Sequence, residues 1–187
     1  MIIGLTGCIG AGKSTVAKMF ENYDYAVQDA DAVVHYIYTK DSRAIEMVNL
    51  SFDGVVVNGA VDRSLLREHI TKNPEDKEKL EQIIHPIVQE YRKNFIGRNL
   101  NCVLDVPLLF EAGVFKECDV IVVVACGEEI RKQRVMDRGH TESVFEMFNN
   151  AQMEQDEKIA GADFVVYSDT DIMDTEQQVR DIIEQLA

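Results

Sequence analysis

The 187 residues suffice for one domain with a substantial core and are too few for two of ordinary size. The composition is globular, with 46% hydrophobic and 28% charged residues, three prolines and no low-complexity stretch. A net charge of −14 repels nucleic acid and anionic lipid, so no nucleic-acid or membrane partner is expected. The same field repels ATP, so any nucleotide site must gather its own positive groups from arginine, lysine and backbone N–H. Cys8, Cys102, Cys118 and Cys126 show no CxxC spacing, which favours reduced, mostly buried thiols over a metal cluster or disulfide framework. The chain reaches Gly7 and Lys13 before a signal sequence could form, and no run approaches the ~20 apolar residues of a membrane span. A cytoplasmic protein is expected, with a monomer as the simplest state and an oligomer left open.

In chain order, strands are expected at Ile2–Thr6, Tyr25–Gln28, Asn101–Val106, Val120–Ala125 and Asp163–Tyr167. Helices are expected at Lys13–Glu21, Asp31–Tyr38, Glu128–Arg138 and Asp171–Leu186. This alternation predicts an α/β fold with a central parallel sheet of about five strands flanked by helices. Val120-Ile-Val-Val-Val lacks polar alternation, as suits a central strand covered on both faces. The clearest helix is Pro74–Lys93, with Asn73 as its N-cap, Pro74 at the first helical position, and Pro86 kinking or dividing it. Roughly seventy residues separate the second strand from Asn101, far more than a βαβ crossover needs. One domain spanning 1–187 therefore divides into a core (about 1–35, 100–128 and 159–187), a helical substrate-binding insertion (about 36–99) and a shorter lid-like excursion (about 129–158).

Gly7-Cys8-Ile9-Gly10-Ala11-Gly12-Lys13-Ser14 fits G-x-x-x-x-G-K-[ST] in full, with Thr15 following, and it stands between a strand and a helix. Its glycines let successive N–H groups converge on phosphates, and the helix N-terminus adds partial positive charge. Lys13 is placed to reach the β- and γ-phosphates of ATP, and the Ser14 hydroxyl to ligate Mg²⁺. Asp29 and Asp31 follow the second strand. A carboxylate there can orient an alcohol and accept its proton during phosphoryl transfer, a role assigned to Asp31, while Asp29 caps the next helix or joins the magnesium shell. Asp105 closes the third strand, where it suits a carboxylate near Mg²⁺ or a purely structural role. Arg131, Arg134 and Arg138, at i, i+3 and i+7, share one helical face that could close over a triphosphate. The chemistry implied is ATP-dependent phosphorylation of a small-molecule hydroxyl. A GTP-binding switch is disfavoured, because no N-K-x-D element is present and Asp105-Val-Pro replaces D-x-x-G.

With these residues in view, the chain resembles the dephospho-CoA kinases, a family with the P-loop kinase fold. The resemblance is carried by Gly4 through Thr15, Asp29-Ala-Asp31, Asp62-Arg-Ser-Leu-Leu-Arg67, Leu80 through Pro86, Asp105-Val-Pro-Leu-Leu-Phe-Glu-Ala-Gly113, and Glu157-Lys-Ile-Ala-Gly-Ala-Asp163. It implies transfer of the ATP γ-phosphate to the ribose 3′-hydroxyl of dephospho-CoA, the last step of coenzyme A synthesis. It further implies Asp31 as base, the arginine helix as part of a lid, and Arg63 and His85 as substrate contacts in the insertion. Three positions depart from the family pattern: Cys8 for a glycine, His35 for a frequent arginine, and Ser168 for a common asparagine near the adenine. The alternative is another P-loop kinase acting on a nucleoside or nucleotide.

Overall fold

The structure is a computed structural model that describes residues 1–186. It comprises two compact units, one formed by Met1–Gln28 together with the chain from Asn99 onward, the other by Asp29–Arg98.

The first unit is built on five strands: β1 (Ile2–Gly7), β2 (Ala26–Asp29), and, after the second unit, the strands at Cys102–Asp105, Val120–Ala125 and Phe164–Tyr167. Helix α1 (Lys13–Glu21) links the first two. The second unit follows, with α2 (Ala30–Lys40), α3 (Ser42–Ser51), β3 (Val56–Val57), β4 (Ala60–Val61), α4 (Arg63–Lys72) and α5 (Asp76–Ile96). The chain returns as β5 (Cys102–Asp105), a 3-10 turn at Val114–Glu117, β6 (Val120–Ala125), α6 (Glu128–Asp137), α7 (Glu142–Asn150), α8 (Gln155–Ala160), β7 (Phe164–Tyr167) and α9 (Ile172–Leu186). All five expected strands are present within a residue or two.

Strand order in the sheet is β2-β5-β1-β6-β7. β1 pairs in parallel with β5 and β6, and β6 with β7. The apolar run of β6 is buried from Val122 to Ala125, which explains its lack of alternation. Ile3, Leu5, Val16, Phe20, Val124, Val166 and Val179 form the core that joins the sheet to α1 and α9. Register matters for the site: Leu5 lies opposite Asp105, so Asp105 and the loop after Gly7 share the carboxyl edge of adjacent strands.

The second unit has its own core, including Ile37, Val48, Phe52, Leu66, Ile84 and Ile87. Aspartates open three of its helices: the side chains of Asp29, Asp41 and Asp62 accept backbone N–H bonds at the starts of α2, α3 and α4. Two expectations are corrected here. Asn73 ends α4 rather than starting α5, and Pro74 lies in the connecting turn, where its carbonyl accepts from Lys77 N–H at 3.2 Å. Helix α5 then begins at Asp76 and runs unbroken through Pro86. Pro86 and Gln82, whose carbonyl loses its usual partner, are both exposed, so water can serve that carbonyl and the helix is not divided. The unit also contains a small antiparallel hairpin, β3 with β4, which the reading of a mostly helical insertion passed over.

Candidate active site

Strand β1 ends at Gly7 and α1 starts at Lys13, leaving five residues to turn the chain through the phosphate loop. Two of them need the left-handed region, Gly10 at φ 80° and Gly12 at φ 92°, which glycine adopts without a Cβ penalty. Cys8 is not among the positive-φ residues, so the side chain standing where a glycine is usual introduces no backbone strain. The N-terminus of α1 has no side-chain cap and no acidic residue in its first turn. Its opening N–H groups and dipole are thereby left for an anion. The loop is tied internally by Ala11 N–H to Cys8 O at 3.0 Å, and externally by Ile9 N–H to Gln152 Oε1 at 2.8 Å. Of the loop residues expected to cradle phosphate, Ile9 and Ala11 thus have their N–H groups engaged within the protein. Lys13 Nζ forms an ion pair with Asp105, both largely buried, while Ser14 and Thr15 are exposed.

A cleft of about 220 Å³ opens beside the loop, lined by Gly12 and Thr15, by Arg134 and Arg138, and by Ser168, Thr170, Ile172 and Thr175. Arg134 is fixed there by Ser168: Nη2 donates to the Ser168 carbonyl at 2.6 Å and Nη1 to its hydroxyl at 3.0 Å. The Ser168 hydroxyl in turn donates to the Ala11 carbonyl. Ser168 therefore joins the cleft wall to the phosphate loop. Arg138 sits just past the end of α6 and lines the same cleft. Arg131 behaves differently from its two neighbours on the stripe. It is only 4% exposed, donates to Asn149 Oδ1 at 2.7 Å and to Ile9 O at 3.4 Å, and stacks on Phe145. Helical spacing put the three arginines on one face; α7, which lies over part of that face, withdraws Arg131 from it.

In the second unit, Asp29 and Asp31 divide their roles. Asp29 Oδ1 accepts from the N–H groups of Asp31 and Ala32 at 2.8 and 3.1 Å, so Asp29 is the cap. The Asp31 side chain is exposed in the first turn of α2 and is not needed for capping. Arg63, the first residue of α4, is exposed and its charge acts on Tyr38. Burial pushes the Tyr38 hydroxyl pKa up, and Arg63 draws it partly back. His85 is exposed on α5 in a shallow cleft with Glu78, Glu81 and Gln89. Arg63 and His85 thus have different surroundings within this unit.

A mononucleotide-type sheet with a complete phosphate loop is common to many kinases, so comparison with known proteins decides between them. The dephospho-CoA kinase family model matches residues 1–174. The chain belongs to the dephospho-CoA kinase family. A dephospho-CoA kinase of Agrobacterium fabrum is 40% identical over 192 residues, covering 100% of this chain and 98% of the relative. The crystal structure of TT1252 from Thermus thermophilus superimposes with a TM-score of 0.88 at 31% identity, covering 100% of this chain and 98% of that one. Dephospho-CoA kinase from Campylobacter jejuni shares the fold, with a TM-score of 0.73 at 23% identity over 99% of this chain and 96% of that one.

In this dephospho-CoA kinase family member, two of the segments that carried the resemblance, residues 105–113 and 157–163, meet in an ion pair. Lys158 of α8 is wholly buried and donates to Glu111 Oε1 at 2.9 Å and to the Pro107 carbonyl at 3.0 Å. Burial raises the Glu111 carboxyl pKa, but the hydrogen bonds from Met153 N–H and Lys158 outweigh it and hold the carboxyl below its ordinary range. The Pro107 carbonyl also accepts from Thr6 Oγ1 at 3.1 Å, which ties the segment after Asp105 to β1. Motif reading identified these segments without assigning Lys158 or Glu111 a role; the pairing spans 47 positions and leaves no periodic signal. Among the described residues, no group of three His, Cys, Asp or Glu side chains forms a metal site by itself, and no helix is long and apolar enough to cross a membrane.

Proposed function

We propose that the chain transfers the γ-phosphoryl group of ATP to the ribose 3′-hydroxyl of dephospho-CoA, yielding coenzyme A and ADP. The observation that carries this reading is the family match across residues 1–174, which includes an intact phosphate loop with Lys13 beside Asp105. The triphosphate lies against the N–H groups of Gly10 and of Gly12 to Ser14, where the α1 N-terminus favours negative charge. Lys13 exchanges Asp105 for the β- and γ-phosphate oxygens. Arg134 and Arg138 offset charge that builds on the transferring group and on the departing ADP. As the ribose oxygen bonds to the γ-phosphorus and the bond to the bridging oxygen of ADP breaks, Asp31 takes the hydroxyl proton. Arg63 and His85 hold the acceptor.

The oxygen donors of Ser14 and Asp105 suit Mg²⁺, which usually keeps most of its shell as water and phosphate. Bound there with ATP, it would neutralise phosphate charge. None of the four cysteines is in a disulfide, and Cys8, Cys102 and Cys126 are buried, which supports a reducing, cytoplasmic setting; the chain is proposed to work there as a monomer on a small molecule.

Release of ADP measured with dephospho-CoA, and in parallel with nucleoside and nucleotide acceptors, tests the reading. Turnover that depends on dephospho-CoA and exceeds the other acceptors by at least tenfold is expected. Preference for a nucleoside would replace this function by the neighbouring kinase activity.

A further inference from the structure

The phosphate loop is held from outside by residues that its motif does not contain. Both polar groups flanking Ile9 are engaged by the segment between β6 and β7. Its N–H donates to Gln152 Oε1 at 2.8 Å, and its carbonyl accepts from Arg131 Nη1 at 3.4 Å. The next residue, Gly10, sits so close to the Arg131 backbone that an added Cβ would lie 2.4 Å from the Arg131 carbonyl. Gln152 does not float: the following residue, Met153, donates its N–H to Glu111 Oε1 at 2.7 Å, the oxygen that also accepts from buried Lys158. The same Arg131 Nη1 also donates to Asn149 Oδ1 at 2.7 Å, and the guanidinium lies over the ring of Phe145.

We infer that Arg131 and Gln152 are positioning residues that hold the Ile9 peptide in place, so that the N–H groups after it meet the ATP phosphates in a preformed nest. This rests on the proposed nucleotide site and goes beyond it, because neither residue touches phosphate. The physical reasoning is that a flexible glycine-rich loop must lose conformational freedom when it binds an anion, and a loop already held loses less. Ile9 is the natural point to hold. Its own N–H is turned to Gln152, and it lies directly before the two left-handed glycines that aim the rest. Arg131 also keeps its Nε–H buried with no partner among the described residues. Leaving a buried donor unmatched is unfavourable, so the Nη1 bonds to Ile9 and Asn149 must offset that cost.

Two variants test the assignment. Gln152→Leu removes the acceptor for Ile9 N–H, and Gln152→Glu restores one. Amide hydrogen exchange of Ile9 is measured in the nucleotide-free protein, and affinity by titration with the non-hydrolysable β,γ-imido analogue of ATP plus magnesium. In Gln152→Leu the Ile9 amide should exchange at least tenfold faster and the dissociation constant for the analogue should rise about five- to tenfold. The KM for dephospho-CoA should stay within about twofold, and Gln152→Glu should recover most of both losses. Arg131→Lys, which keeps the charge but lacks the guanidinium whose Nη1 reaches both Ile9 O and Asn149 Oδ1, gives the same reading should Gln152→Leu not fold. Unchanged exchange and affinity in a folded Gln152→Leu overturn the inference. So does an equal weakening towards both substrates accompanied by a lower melting temperature, which marks a general structural strut. Failure of the parent protein to bind the analogue instead defeats the nucleotide-site reading, while Ile9 exchange still decides whether Gln152 holds the loop.

Discussion

Replacing Lys158 with methionine perturbs the interior behind the phosphate loop while roughly conserving side-chain volume. The Lys158 side chain is 0% exposed and its partner Glu111 24%, at 2.9 Å. With an effective dielectric of about 20 their attraction is about 6 kcal/mol, set against several kcal/mol for desolvating the ammonium group. Deleting one partner of a buried pair typically costs 3–5 kcal/mol, roughly, because the other charge is left uncompensated. Glu111 keeps its bond from Met153 N–H and some access to water, so the low end, about 3 kcal/mol, is expected here. For a chain of this size that lowers the melting temperature by about 6–12 °C. Glu111→Gln combined with Lys158→Met should recover part of the loss, with a coupling energy of about 1–2 kcal/mol. Acidification supplies a second signature. Because the folded state holds Glu111 below its ordinary pKa, its contribution is present above that value and lost as pH falls; the variant should lose less on the acid side. Urea and thermal unfolding at neutral and acid pH measure all of this. A Lys158→Met protein within about 0.5 kcal/mol of the parent would refute the reasoning.

Three other outcomes are expected. Asp31→Asn should lower kcat by about 10²–10⁴ with ATP affinity unchanged, measured by ADP release and direct titration, and retained turnover removes Asp31 from proton transfer. Hydrogen bonds from Arg43, assisted by Ala44 N–H and Tyr91, hold the Asp41 carboxyl pKa at about 2. Its stabilisation is therefore complete above the unfolded value near 3.8 and lost as pH falls through about 2, so acid titration of stability should lose this component in Asp41→Asn. Gly59→Ala should cost about 1 kcal/mol in urea unfolding, because φ is 76° and no neighbouring atom lies within 4 Å of the added methyl, which leaves backbone strain as the cause.

The sheet was legible because its signals are local. Val120–Ala125 is an unbroken apolar run, and the phosphate loop must stand between a strand and a helix. Asn58-Gly59 was legible too and was passed over. Both residues take positive φ, 52° and 76°, as an Asn-Gly hairpin turn requires, and the two flanking strands are only two residues each. Asn73-Pro74 misled because the same pair serves as well to end one helix as to start another, and hydrogen bonding decides between them. At the site, spacing singled out Lys13 and the arginine face but could not show that α7 covers Arg131, while the reading of Asp29 as a cap or magnesium ligand agrees, for the cap, with its bonds at the start of α2. Lys158 with Glu111, and Gln152 with Ile9, join positions 47 and 143 apart. Such pairings are created by the sheet order, and no periodicity along the chain reports them.

The central claim is phosphorylation of one particular hydroxyl. The direct measurement is to incubate the protein with ATP, magnesium and dephospho-CoA and locate the new phosphate on the product by phosphorus NMR and mass spectrometry. One added phosphate on the ribose 3′-oxygen, with one ADP formed per phosphate, is the predicted result. ADP release with no phosphorylated acceptor, or phosphate at any other position, would contradict it.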